Sequence, residues 1–226
     1  MKDLVKNLIK RFGPSFLFYQ KSYAQEGEDL VVNRLLEGKR NGFYVEVGAH
    51  HPFRFSNTYF FYKKGWSGIC IDPLPGVKKL FKKSRPRDLA LEMGISSAPG
   101  TLEYFMFNEP ALNTFDAELA KSRNGLKDYK ITRQVSMDTL PLSQVLEDQK
   151  IPASGIDLLS VDVEGLDLEV LASNDWKLFL PKVIIAEALS SDVENIHNDP
   201  IYQFLISKGY TLYAKTGCSI IFTLSD

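Results

Sequence analysis

Carboxylates stand in or at the ends of several short apolar runs of this 226-residue chain, and that placement is its clearest chemical feature. Glu46 lies in Phe43-Tyr44-Val45-Glu46-Val47-Gly48, and Asp72 closes Gly68-Ile69-Cys70-Ile71-Asp72. Asp162 closes Leu158-Leu159-Ser160-Val161-Asp162, with Glu164 two residues on, and Glu187 closes Val183-Ile184-Ile185-Ala186-Glu187. Where such runs are buried parallel strands, their carboxyl ends share one crevice, which is where open α/β sheets take ligands. Asp72 follows Gly48 by 24 residues, the spacing at which an acid accepts hydrogen bonds from two ribose hydroxyls. Gly48 lets main chain approach a ligand closely, and Glu46 puts a carboxylate near the same turn.

The stretch after Gly48 narrows the ligand. Ala49-His50-His51-Pro52-Phe53 carries none of the further glycines with which a G-x-G-x-x-G loop seats a pyrophosphate,. A carboxylate at Glu46 would also repel that anion. A nucleoside with a cationic group, such as S-adenosylmethionine, suits the turn better than NAD. Asp162 and Glu187 allow two chemistries. In one they hold a divalent cation such as magnesium, which binds a substrate hydroxyl through hard oxygen ligands. In the other, Asp162 or Glu164 takes the hydroxyl proton as a base of raised pKa. The plainer alternatives are that Glu187 bonds main-chain amides and that Glu164 caps a helix. His50 could serve as a base if its imidazole faces the crevice. The pair His50-His51 is not a metal motif, because adjacent side chains diverge and no third ligand has suitable spacing. His197 falls in a loop after the fifth run, while Lys121, Arg123, Lys130 and Arg133 read as solvated surface.

The elements that must position these groups follow from periodicity. Strands are expected over 43–47, 67–72, 89–95, 157–162 and 182–187, separated by helices over 55–64, 77–83 and 166–172. Continuous apolar strands alternating with helices specify a parallel sheet covered on both faces. A helix over 201–207 then leads into two strands, 210–214 and 219–224, joined by Lys215-Thr216-Gly217-Cys218 as an antiparallel hairpin. An insertion of about 101–137 alternates like a strand at both ends, with a helix over 113–123 between, and lies where specificity elements usually sit. At the amino end, Leu4, Val5, Leu8, Ile9 and Phe12 make an amphipathic helix with Lys2, Lys6, Lys10 and Arg11 between them. It is expected to dock on the domain or on a second copy of the chain rather than act as a signal peptide. A second helix opens at Ser22 or Gln25, with acids in its first turn.

Lys plus Arg number 27 and Asp plus Glu 28, a balance that gives no drive toward nucleic acid or anionic membrane,. The expected partner is a small molecule. No apolar run is long enough to span a bilayer. Cys70 and Cys218 are far apart in apolar runs and read as reduced thiols of a cytoplasmic protein,.

Five stretches taken together resemble the FkbM family of S-adenosylmethionine-dependent methyltransferases: Ala24 to Asp29, Phe43 to Ala49, Ser56 to Tyr59, Gly65 to Pro73, and Leu159 to Gly165. The resemblance implies one Rossmann-like, seven-stranded methyltransferase domain spanning 1–226. Its sheet is mostly parallel and ends in an antiparallel hairpin, with a helix and lid over 1–38. It also implies methyl transfer to a hydroxyl, often on a sugar or a glycosylated molecule. By the same likeness Glu46 and Gly48 line the methionine part of the cofactor, Asp72 binds the ribose, and Asn57 lies close by. Met93, Gly94 and Ile95 flank the adenine, Gln25 and Glu28 belong to a lid over the cofactor, and Asp162 counts among the cofactor-binding residues. Asp162 also matches the position that holds magnesium in metal-dependent relatives, with Glu187 on the next strand. Ala188 and Gly165 stand where those enzymes carry a polar ligand and a basic residue. The competing functions are a nucleoside-binding partner subunit without turnover and an NAD-dependent oxidoreductase.

Overall fold

The computed structural model describes residues 14–152, 155–189 and 192–225. The expected amphipathic helix over the first twelve residues lies outside them. Ten strands form two sheets. The larger takes β1 (Phe43–Val47), β2 (Ser67–Ile71), β3 (Leu89–Leu91), β7 (Leu158–Val161), β8 (Val183–Glu187), β9 (Tyr210–Lys215) and β10 (Ser219–Leu224), in the order β3-β2-β1-β7-β8-β10-β9. The pairings from β3 through β8 are parallel, whereas β10 runs antiparallel to both β8 and β9. This is the expected mostly parallel, seven-stranded sheet closed by a hairpin. Its order reverses beside β1, so the carboxyl ends of β1, β2, β7 and β8 share one edge.

The strands alternate between two apolar layers because successive side chains point to opposite faces. Val45, Val47, Ile69, Ile71, Leu159 and Val161 pack in one layer. Tyr44, Cys70, Leu158, Val183 and Ile185 pack in the other. The described α-helices are α1 (Glu28–Leu35), α2 (Tyr59–Lys63), α3 (Val77–Ser84), α4 (Ala117–Arg123), α5 (Leu142–Asp148), α6 (Asp167–Ala172) and α7 (Pro200–Ser207), with short 3-10 helices at Ser15–Phe18, Pro110–Leu112 and Ile196–Asn198. In α3 only Val77 and Phe81, one turn apart, are buried, and the lysines between them face water,. Helix α7 starts where Asp199 accepts the amides of Ile201 and Tyr202, with Pro200 in the first turn,.

Several boundaries differ from the sequence reading. The helix expected over 55–64 is confined to α2, because Ser56 Oγ accepts the amides of Thr58 and Tyr59 and holds the preceding residues as a loop. The strand expected over 89–95 breaks in two. Its end, β4 (Gly94–Ile95), leaves the main sheet and pairs with β6 (Ile131–Leu140) of the insertion, which pairs antiparallel with β5 (Gly100–Phe107). The insertion helix is only α4, opened by Asp116, whose carboxylate accepts the amides of Glu118 and Leu119,. Helix α5 was not anticipated; Leu142, Val145 and Leu146 bury its inner face. Trp66 is part of the core, and Cys218 is half-buried in the hairpin turn. Among the described residues no helix is long and apolar enough to cross a membrane.

Candidate functional site

The site is built on the close approach of β1 to β7. The Asp162 amide donates to the Val47 carbonyl at 3.0 Å, and Gly48 has φ +82°. A Cβ at Gly48 would lie 1.6 Å from the Asp162 carbonyl oxygen. What glycine permits here is therefore strand-to-strand contact at the floor of the crevice, and not only approach to a ligand.

Beside this floor, Asp72 extends from β2. Its Oδ2 accepts the His50 amide at 2.7 Å and its Oδ1 the Leu74 amide at 2.8 Å. Each oxygen keeps a lone pair for a further donor. Burial raises the Asp72 pKa to about 6, against the opposing pull of the two amides,. A cavity opens in front of it, lined by Gly48, His50, Asp72, Met93, Gly94 and Ile95 among others. The insertion supplies a wall that the sequence reading missed. Phe115 packs so closely over Gly94 that a Cβ there would come within 2.6 Å of the ring, and its centroid is 4.9 Å from that of Tyr104. Both rings line the cavity.

A second cavity adjoins the first, and Gln25, Phe55, Ala111, Asp162 and Glu164 line both. Glu187 and Asn57 line only the second, where the Asn57 amide donates to Ser160 Oγ at 3.0 Å. Oxygens of Asp162, Glu164 and Glu187 converge within 4.8 Å of one another. Glu164 adopts φ +57°, its carbonyl accepts Thr114 Oγ1 at 2.8 Å, and its carboxylate meets Arg123 Nη2 at 2.6 Å. Arg123 is thus no solvated surface residue, and the insertion is tied to the loop after β7 through it. Among the described residues no hydrogen-bond donor or cation pairs with the carboxylates of Asp162 or Glu187. Desolvation by the surrounding walls, reinforced by the neighbouring carboxylates, raises the Asp162 pKa although the residue stays open to solvent, and pushes that of the half-buried Glu187 up to about 10. Glu164 is also raised by burial, but Arg123 opposes the shift.

Three expected site residues have other surroundings. Strand alternation puts Glu46 on the face of Tyr44, away from both cavities. There it accepts Thr58 Oγ1 at 2.6 Å and Ser56 Oγ at 3.2 Å, and lies 3.7 Å from the buried Arg85 guanidinium. It holds the loop before α2 rather than lining a cofactor cavity. Glu28 faces the second cavity, and its carboxylate is taken up by the Glu26 amide, Ser219 Oγ and Thr216 Oγ1 at 2.8, 3.1 and 3.3 Å. That network staples the lid segment to the β9–β10 hairpin, leaving Gln25 as the lid residue that reaches both cavities. His50 lines the first cavity and not the second, where Asp162, Glu164 and Glu187 meet. Its neighbour His51 is structural, because Nδ1 accepts the amides of Phe53 and Arg54, each at 3.1 Å.

The sequence matches the methyltransferase FkbM domain over residues 46–212. The chain belongs to the FkbM methyltransferase family. Its activity is methyl transfer from S-adenosylmethionine, and the oxidoreductase reading falls away. The chain is similar to the solved 1,6-didemethyltoxoflavin-N1-methyltransferase of Burkholderia thailandensis with bound S-adenosylhomocysteine, at 11% identity and TM-score 0.47, over 100% of this chain and 90% of that one. It is similar also to a TehB-like methyltransferase of Corynebacterium glutamicum (11%, TM-score 0.43, 100% of each chain). A third likeness is to precorrin-6y C5,15-methyltransferase of Geobacter metallireducens (11%, TM-score 0.45, 91% of this chain and 93% of that one). No curated protein sequence matches this FkbM methyltransferase.

Proposed function

We propose that this FkbM methyltransferase transfers the methyl group to a hydroxyl of a small, sugar-like molecule. The observation that carries the reading is the convergence of Asp162, Glu164 and Glu187 in a cavity that shares walls with the one around Asp72. When bound, S-adenosylmethionine supplies an already activated methyl group, so the chain mainly aligns the acceptor oxygen and removes its proton. Asp72 accepts the ribose hydroxyls with its free lone pairs, Met93, Gly94 and Ile95 flank the adenine with Phe115, and Gln25 reaches over from the lid. The acceptor occupies the second cavity, where unpaired carboxylate oxygens suit a donor-rich polyol.

Asp162 is the base in this reading. The Glu164 carboxylate is held by Arg123, which opposes the rise in its pKa, whereas Asp162 has a raised pKa and no such partner among the described residues. A positive charge in the first cavity would draw Asp162 toward its ionised form, ready to accept a proton. The C–O bond forms as the C–S bond breaks, and the hydroxyl proton goes to the carboxylate. A divalent cation on Asp162, Glu164 and Glu187 is the second reading, favoured by their all-oxygen donor set,. It would polarise the hydroxyl, but it must share Glu164 with Arg123.

The test is turnover of labelled cofactor on a panel of sugars and glycosides, with the methylated atom assigned by NMR. Asp162→Asn is expected to bind S-adenosylhomocysteine like the wild type and to lose turnover by about a hundredfold or more. Retained turnover removes Asp162 as base, and methyl on nitrogen or carbon removes the hydroxyl assignment. Loss of wild-type turnover on adding a chelator, restored by magnesium, selects the cation reading.

A further inference from the structure

His50 carries an unexplained polar atom. Its Nε2 is shielded from solvent and has no hydrogen-bond partner among the described residues, in a side chain that lines the first cavity. A buried polar atom without a partner is costly, and native sites keep one chiefly where a ligand completes it. The backbone at His50 has φ +43°, a region that non-glycine residues seldom occupy,. That conformation places the His50 amide on Asp72 Oδ2 at 2.7 Å, so the turn that carries the imidazole also fixes the carboxylate, and both residues line the first cavity. His51, one residue on, spends its Nδ1 on the turn itself, whereas the unpartnered nitrogen of His50 is buried.

We propose that His50 binds the cofactor, with Nε2 hydrogen-bonded to a ribose hydroxyl held by Asp72. It is a binding residue on the cofactor side and not the base of the reaction. The chemistry fits a hydroxyl in particular. Each ribose hydroxyl that donates to Asp72 keeps lone pairs for a donor, and a hydroxyl pairs with either tautomer of a neutral imidazole. The ring is held neutral: burial lowers its pKa, and the nearby Arg54 and His51 lower it further. The inference rests on S-adenosylmethionine occupying the first cavity, and it is independent of which acceptor fills the second.

The test uses the whole chain labelled with 15N-histidine. The three histidines are told apart with His51→Asn and His197→Gln. S-adenosylhomocysteine and 5′-methylthioadenosine, which lacks the amino-acid part, are each expected to move the His50 Nε2 resonance by several ppm. In calorimetry His50→Asn, a substitution that tolerates the positive φ but is too short to reach, is expected to bind both ligands about tenfold more weakly. In turnover it is expected to raise KM for the cofactor while leaving kcat nearly unchanged. If both ligands bind the wild type without moving Nε2, the inference is overturned and the cofactor reading stands. If only S-adenosylhomocysteine moves it, the contact is to the amino-acid part and the ribose assignment fails. A fall in kcat with unchanged cofactor KM restores His50 as a base and overturns the proposal. Failure of S-adenosylhomocysteine to bind the wild type overturns the cofactor reading along with it.

Discussion

Both oxygens of Asp72 accept a main-chain amide and both keep room for another donor, whereas the oxygens of Glu46 are taken by hydroxyls that belong to the protein. The two carboxylates are almost equally buried, at 5% and 4% exposure, so burial alone does not separate ligand contact from scaffold. Their partners do, and the partners lie far off in the chain. The sequence makes the carboxylates at the strand ends legible because their spacing is local. It does not reveal that Arg85, 41 residues from Tyr44, sits behind β1 and pairs with Glu46 from that face. The two roles give opposite expectations. Asp72→Ala should weaken S-adenosylhomocysteine binding by about a hundredfold, since charge-assisted bonds to two hydroxyls are lost, and cost about 1–3 kcal/mol of stability through the His50 and Leu74 amides left without an acceptor,. Glu46→Ala should take one of two carboxylates from the buried Arg85, strip the Thr58 and Ser56 hydroxyls of their acceptor and cost about 3 kcal/mol of stability, with binding changed only as far as the loop before α2 shifts,. Calorimetry and urea denaturation of both variants check this, and equal effects on binding would return Glu46 to the cofactor site.

At the scale of elements, the strand order and the closing hairpin were readable because continuous apolar runs, glycine turns and a terminal alternating pair are each local signals. The walls of the site were not. Met93, Gly94 and Ile95 belong to a segment that reads as one strand, yet it turns away after Leu91 so that β4 can join the insertion. That exchange brings Phe115 and Tyr104 over the first cavity. The aromatic density around Tyr104 was a signal, but only the long-range pairing of β5 with β6 says where those rings arrive. The insertion is clasped to the rest of the chain on two sides. Arg54 meets Glu109 through two bonds of 2.9 and 3.1 Å, and Arg123 meets Glu164. Under this cap the floor depends on Gly48. Gly48→Ala would add a methyl into the Asp162 carbonyl and force a non-glycine residue to φ +82°. The expected outcome is a loss of at least about 3 kcal/mol in urea denaturation, or failure to accumulate as soluble protein. Near-wild-type stability would mean that β1 and β7 can separate at their carboxyl ends without cost.

For the whole molecule, net charge near zero conceals a concentration of acid on one side. Asp72, Asp162, Asp167 and Glu187 all gather at the carboxyl edge of the sheet with pKa values raised by desolvation, Asp167 to about 7 and Glu187 to about 10. A carboxyl group whose pKa is higher folded than unfolded binds its proton more tightly in the native state. Its stabilising share is present at low pH and is lost as pH rises through the folded value. The lowered carboxyls Asp157, Glu26 and Glu109 act oppositely, but their contribution is complete above the ordinary carboxylate range. The lowered histidines His50 and His51 weaken the fold only where an unfolded imidazole would be protonated, below about pH 6.5,. Above that pH the raised groups act alone, joined by the buried Cys70 thiol, whose pKa burial also raises. The ligand-free protein should therefore lose Tm steadily between about pH 7 and pH 9. Glu187→Gln, which removes one charge from the cluster, should flatten that slope and raise Tm at the alkaline end. Thermal unfolding across this range at fixed ionic strength checks both, and a Tm that rises with pH would mean that the acids at the sheet edge are not held protonated by their surroundings.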